Sequence, residues 1–140
     1  MYIVCSHCFA FNTLTPDRLA DHPVCGKCKS ALLPPQAVAL DDGSLPVFLQ
    51  RARQMVLVDF WAQWCGPCHA FAPHFKQAAA QLPQLHCVKV NVDEAPQIAN
   101  QLQIRSIPTL VLFRAGQELA RQSGAMNLTQ LQHWLKQYLD

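Results

Sequence analysis

The chain has 140 residues, 51% of them hydrophobic, and a formal charge of +2 at neutral pH. That is apolar material for one ordinary domain, or for a domain of about 100 residues with a small appendage. So small a charge argues against an electrostatic grip on nucleic acid or an anionic membrane, because such binding scales with the phosphates neutralised. No apolar run approaches the roughly 20 residues that span a bilayer. The start, Met1-Tyr2-Ile3-Val4-Cys5, lacks the basic flank and apolar stretch of a signal peptide. A cytoplasmic protein is expected, and there seven cysteines point to metal binding or redox chemistry more than to structural disulfides.

The first 33 residues carry four of those cysteines in a turn-rich stretch. Cys5-Ser6-His7-Cys8 and Cys25-Gly26-Lys27-Cys28 are two knuckles separated by 16 residues, the spacing of a four-cysteine zinc site. Thiolates of Cys5, Cys8, Cys25 and Cys28 would complete a tetrahedron with no open position, so the metal would be structural. Two disulfides, or an iron site of rubredoxin type, would use the same residues. Gly26 is expected to ease the second turn, and His7 and His22 are read as bystanders. So short a segment buries too little core to fold alone, and metal binding would supply most of its folding free energy. Its charged side chains leave +1, and one zinc with four thiolates makes that −1, which suits protein docking better than phosphate binding.

Pro34-Pro35 reads as a linker, giving a zinc-binding segment 1–33, a linker 34–36 and a domain 37–140. From there short β-rich runs alternate with helical patterns, the signature of an α/β domain. Ala37 to Leu40 is a short strand. Ser44 is expected to cap a helix burying Leu45, Phe48, Leu49 and Ala52. A core strand follows from Val56 to Ala62, then a helix from Gly66 to Leu82 that buries Phe71, Phe75 and Ala79 and is kinked by Pro73. Leu85 to Val92 is a second core strand and Pro96 to Gln101 a short helix. Thr109 to Arg114 and Gln117 to Gln122 form a hairpin around Ala115-Gly116. A final helix has Asn127 and Gln130 as a capping box and turns Leu128, Leu131, Leu135, Tyr138 and Leu139 to one side.

Cys65 falls where a core strand ends and a helix begins, so unpaired N–H groups and the helix dipole favour its thiolate. Cys68, three residues on, lies nearly one turn along the same face and can close a small ring with it. Cys65 would attack a substrate disulfide, and Cys68 would then attack Cys65 and release the reduced substrate. Pro67 stiffens the loop between them. Asp59 interrupts a buried strand just behind the pair, where desolvation raises a carboxylate pKa toward that of a useful base. Lys89 is the other charge on an apolar strand and is expected to pair with Asp59, with snorkelling to solvent as the alternative. Pro108, directly before a strand, suits a cis proline at a tight turn. Cys87 is expected to be a buried, inert thiol.

Together Val58-Asp59-Phe60-Trp61-Ala62, Trp64-Cys65-Gly66-Pro67-Cys68, Pro73, Lys89, Ile107-Pro108-Thr109, Gly116 and Gly124 resemble the thioredoxin family over residues 36–140. The resemblance implies a central five-stranded mixed sheet flanked by four helices. It implies that Cys65 is the nucleophile, Cys68 the resolving thiol of a redox-active disulfide, Asp59 a buried proton acceptor and Pro108 a cis residue facing the sulfurs. Trp64, Gly66, Pro67, Ile107 and Gly124 would line a shallow substrate surface. Family members with Gly-Pro between the cysteines are typically reductants recharged by an NADPH-dependent thioredoxin reductase, and the same direction is expected here, in a monomer. His69 departs from the Lys that many relatives carry after the second cysteine, which bears on reduction potential and partner preference. A zinc knuckle pair ahead of such a domain resembles the bacterial thioredoxin 2 type. A zinc-dependent holdase or adaptor with little turnover is the competing class of function.

Overall fold

The computed structural model describes residues 1–139. Strands β1 (Tyr2–Val4) and β2 (Phe11–Thr13) form an antiparallel pair, followed by a 3-10 turn at Pro16–Asp21. The two knuckles are built alike. In each, the N–H of the residue after the second cysteine returns to the carbonyl of the first, Phe9 to Cys5 and Lys29 to Cys25, both at 2.9 Å. Those residues, Phe9 (φ 64°) and Lys29 (φ 67°), supply the left-handed backbone. Gly26, expected to ease the turn, is not among the positive-φ residues; its N–H instead donates to the Asn12 side chain at 2.9 Å.

The remaining strands are β3 (Val38–Ala39), β4 (Met55–Trp61), β5 (Leu85–Asn91), β6 (Thr109–Arg114) and β7 (Gln117–Ser123), in one sheet of order β3-β5-β4-β6-β7. β3 and β5 run parallel to β4's direction, whereas β6 is antiparallel to β4 and β7 to β6. Helices α1 (Leu45–Arg51) and α3 (Pro96–Gln101) cover one face, α2 (Gly66–Gln81) and α4 (Leu128–Lys136) the other. This is the expected five-stranded mixed sheet with four helices. Alternation along β4 sends Val56, Val58 and Phe60 to the α1 side and Leu57 to the α2 side. Asp59 and Trp61 share the parity of Leu57. In β5 the same rule sends Cys87 and Lys89 toward α2, and His86, Val88 and Val90 toward α1.

One local expectation changes. Ser44 stands at the start of α1 but makes no side-chain cap. Asp41 closes the turn ahead of the helix: its carboxylate accepts from the N–H groups of Gly43 and Ser44 and from the Ser44 hydroxyl, all at 3.0 Å. Asp42 reaches across to accept from the Ile98 and Gln97 N–H groups at the start of α3. α2 runs on through Pro73 to Gln81. The capping box at Asn127 and Gln130 forms as expected, and α4 buries Leu131, Trp134 and Leu135, each side chain worth about 1.5–3 kcal/mol when fully removed from water.

The β6–β7 turn places both Ala115 (φ 50°) and Gly116 (φ 78°) in the left-handed region, as a two-residue hairpin loop requires. A Cβ on Gly116 would also stand 2.5 Å from the Leu49 carbonyl oxygen. Gly116→Ala should therefore cost about 2–3 kcal/mol from strain and overlap together. Urea unfolding will show it, and a loss under about 0.5 kcal/mol would mean that the turn relaxes freely.

Candidate active site and metal cluster

Cys65 and Cys68 are joined as a disulfide, with Cα atoms 5.2 Å apart. Cys65 is the N-cap of α2, and its Sγ accepts the Cys68 N–H at 3.1 Å. Pro67 sits in the first turn, where its missing N–H costs nothing. The Cys65 sulfur also lies 3.8 Å from the carbonyl oxygen of Ile107, and the Ile107–Pro108 bond is cis. Gly124 (φ 97°) closes this side, donating its N–H to the Pro108 carbonyl at 2.8 Å. Both cysteines are buried, yet Gly66, Pro67 and Gly124 are exposed around them and Ile107 is half-buried. Trp64 is 71% exposed, its indole N–H donating to Asp93 at 2.8 Å. The residues expected to line a substrate surface thus surround one sulfur.

Behind the disulfide lies a cavity of about 440 Å³ whose walls include Asp59, Trp61, Cys68, His69, Phe75 and Lys89. Asp59 is 5% exposed and its Oδ1 has no hydrogen-bond partner. Burial raises its carboxyl from 3.8 to about 7, with the Lys89 charge pulling the other way. Asp59 and Lys89 are register neighbours across β4 and β5, but the ion pair expected between them does not form among the described residues. Lys89 is exposed and stands with its ammonium 5.8 Å from the Trp61 ring centroid. A long side chain gains more by keeping its charge in water than by following the strand inward. His69 meets the same ring edge-on and its Nε2 lies 2.6 Å from the Gln63 carbonyl, so it braces the loop before Cys65.

Cys87 is buried, and its thiol is pushed up to about 12 by burial, with the Asp59 charge adding to the effect. Its burial is as expected. Two buried polar residues had drawn no attention in the sequence: Gln54, and His86, whose pKa burial lowers to about 4. The signal available was a polar residue at the edge of each apolar run.

In the first 33 residues the sulfurs of Cys5, Cys8, Cys25 and Cys28 all lie within 4.8 Å of one another. Cys5–Cys28 and Cys8–Cys25 are 3.6 Å apart, close to the roughly 3.8 Å that four bonds of about 2.3 Å impose in a tetrahedron. The His7 and Lys27 N–H groups point at Cys5 and Cys25 Sγ from 3.3 and 3.4 Å. Burial pushes Cys5 up to about 12, whereas the Cys28 N–H and the Asn12 amide draw Cys25 down to about 6. Four sulfurs at this spacing, two of them facing backbone N–H groups, fit a zinc ion. No histidine joins the cluster.

A dithiol ring at a helix N-terminus, a buried carboxyl behind it and an open apolar rim around one sulfur define a machine for thiol–disulfide exchange. Comparisons with known proteins agree. The thioredoxin family model matches residues 36–137, and a model described as thioredoxin 2, N-terminal, matches residues 4–30. Thioredoxin C-3 of Corynebacterium nephridii is 43% identical over 139 residues, covering 99% of this chain and 96% of that protein. Thioredoxin 1 of a Nostoc species is 49% identical over 85 residues, 60% of this chain and 79% of that one. A chain from a structural study of thiol resolution in yeast mitochondrial 1-Cys peroxiredoxin through the glutathione and thioredoxin systems is 30% identical, with a TM-score of 0.65. That match covers 72% of this chain and 94% of the other. The chain belongs to the thioredoxin family and is a protein-disulfide oxidoreductase with an N-terminal zinc-ribbon segment. No helix among the described residues is long and apolar enough to cross a membrane.

Asp59 and His86 make opposing demands on stability. Unfolded Asp59 gives up its proton near 3.8 but keeps it to about 7 when folded, so its contribution is full at low pH and is lost as pH rises through 7. Unfolded His86 binds a proton below 6.5 but folded His86 refuses it down to about 4, so its contribution is full above 6.5 and is lost as pH falls through 4. From about pH 4.5 to 6 the two proton balances cancel. Relative to wild type, Asp59→Asn should lose stability toward pH 4.5 and His86→Phe should lose it toward pH 7, each by roughly 3 kcal/mol. Urea titrations across that range test this, and profiles parallel to wild type would contradict it.

Proposed function

We propose that this chain is a cytoplasmic protein-disulfide reductase with a zinc-binding ribbon at 1–33, a linker at 34–36 and the oxidoreductase domain at 37–140. The observation that carries the reading is Cys65 capping a helix with its rim exposed while Cys68 faces the Asp59 cavity. In the reduced form the Cys65 thiolate attacks one sulfur of a substrate disulfide, forming a mixed disulfide and expelling the other substrate sulfur as a thiolate that takes up a proton. Asp59, with its pKa about 7, accepts the Cys68 proton. The Cys68 thiolate then attacks Cys65, closing the Cys65–Cys68 disulfide and releasing the second substrate thiolate. Two electrons pass from protein to substrate.

Lys89 biases the Asp59 carboxyl toward ionisation. Pro108, with the Ile107 carbonyl beside Cys65, and Trp64, Gly66, Pro67 and Gly124 receive an extended disulfide-bearing segment. An NADPH-dependent thioredoxin reductase returns the electrons, which makes the chain an electron carrier acting as a monomer. Zinc on Cys5, Cys8, Cys25 and Cys28 would supply folding free energy to the ribbon. Oxidants that convert those thiolates to disulfides would eject it, which links the ribbon to oxidative stress.

Insulin reduction coupled to NADPH and thioredoxin reductase tests the chemistry. Cys65→Ser should abolish turnover, whereas Cys68→Ser should accumulate a mixed disulfide visible by mass; a Cys65→Ser variant as fast as wild type would sink the enzyme reading. Metal analysis of the reduced protein should find one zinc per chain. Cys8→Ser should lose it and keep turnover, and two zinc ions per chain would instead make ligands of Cys65 and Cys68.

A further inference from the structure

β1 lies between two cores. Ile3 and Cys5 face the interior of the ribbon with Leu14, Cys25 and Leu32, while Val4, wholly buried, points the other way into the cluster of Phe48, Ala52 and Val56. Such burial leaves the outward N–H and C=O of Val4 needing partners. A single side chain meets both. Gln54 Oε1 accepts the Val4 N–H at 3.1 Å, and Gln54 Nε2 donates to the Val4 carbonyl at 2.9 Å. The carboxamide thus stands where a neighbouring strand would stand.

A third group braces the carboxamide from behind. Gln54 Nε2 lies 3.3 Å from Nδ1 of His86, whose ring is packed 5.0 Å from that of Phe48. Gln54 is 5% exposed and His86 is fully buried. Flipping the amide would set N–H against N–H and oxygen against oxygen at Val4. Arg51 adds an outer contact, donating to the Phe9 carbonyl at 2.9 Å and standing 5.8 Å over the Phe11 ring.

We propose that Gln54, braced by His86, is the latch that fixes the ribbon to the oxidoreductase domain and carries the state of its metal cluster into β4 and β5. Val4 precedes Cys5 and Phe9 follows Cys8, so both latch points flank the first knuckle. On the other side Gln54 leads directly into β4, and His86 is the register partner of Val56. When the cluster comes apart β1 is freed, and the Gln54 carboxamide is left in the core without the partners it was placed to meet. The cost falls on β4 and β5.

This inference rests on the zinc reading above, and the test separates the two. All three tryptophans, Trp61, Trp64 and Trp134, lie beyond residue 60, so intrinsic fluorescence reports the oxidoreductase domain alone. The full chain and Gln54→Leu are melted with zinc bound and after chelation, with zinc content measured on every sample. In wild type, chelation should lower the tryptophan-reported midpoint by about 5 °C or more. In Gln54→Leu the drop should be less than half as large. A glutamine that only stabilised the fold would lower both midpoints and leave their difference intact, and equal drops would overturn the latch. Should Gln54→Leu fail to fold, amide exchange on wild type decides: chelation should speed exchange at Val56 and His86 about tenfold, and unchanged rates would overturn it. A protein that binds no zinc would sink the metal reading, and the transmission with it.

Discussion

Strand β4 is paired on both edges and covered on both faces, so any polar group it carries must live in the core. One such group, Asp59, is there without a partner for Oδ1, and most of the active site follows from that placement. Desolvation brings the carboxyl near neutrality. Alternation along the strand aims it toward α2, the helix whose first turn holds both active-site cysteines. The strand's far end delivers the chain to Cys65 as an N-cap, where a thiolate meets unpaired N–H groups. Had the aspartate fallen one residue earlier or later, it would face α1 and never meet Cys68.

The same burial explains why seven cysteines do different things. Cys87, one strand over and on the same face, is surrounded by apolar side chains and an acid, so its thiol keeps its proton. Cys65 has a helix end and an open rim. The four ribbon cysteines have backbone N–H donors and one another. Neither sulfur chemistry nor chain position distinguishes these groups; the dipoles and water around each do.

Much of this was legible in the sequence because it is local. The knuckles, the Cys65–Cys68 spacing, the capping box at Asn127 and the alternating runs are set within a few residues, and Asp59 shows as a lone charge in an apolar run. Errors came where residue preference or strand pattern stood in for the contact actually made. Lys89 was expected to join Asp59 because each is a lone charge on an apolar strand; the strands do align them, but register fixes only backbones, and a lysine stem is long enough to choose water. Ser44 looked like the cap because serine favours that role, whereas Asp41 accepts from three donors at once. Glycine chemistry suggested Gly26 for the second knuckle, but the left-handed residue falls after the second cysteine, at Phe9 and Lys29 alike. Gln54 and His86 are legible only after folding, because each is a single polar residue at the start of an apolar strand until β1 arrives from 50 residues away.

That arrangement places the ribbon contact and the dithiol at opposite ends of one strand. Gln54 precedes Met55, Cys65 follows Trp61, and the seven residues of β4 between them span roughly 23 Å at about 3.3 Å per residue. A ribbon anchored there leaves the exposed rim of Cys65 free for a protein substrate, so it need not compete with the chemistry to influence it. Influence must then travel through the strand itself. β4 suits this because its hydrogen bonds on both edges and its packing on both faces let it respond as a unit more readily than a loop would. Asp59, the fifth of its seven residues, faces α2, on the other side of the sheet from Val56. A loosened start to β4 is felt first on the α1 face, where Val4 packs beside Phe48, Ala52 and Val56. The position of the ribbon thus leaves access to Cys65 open and sets its contact on the face of the sheet opposite the Asp59 cavity.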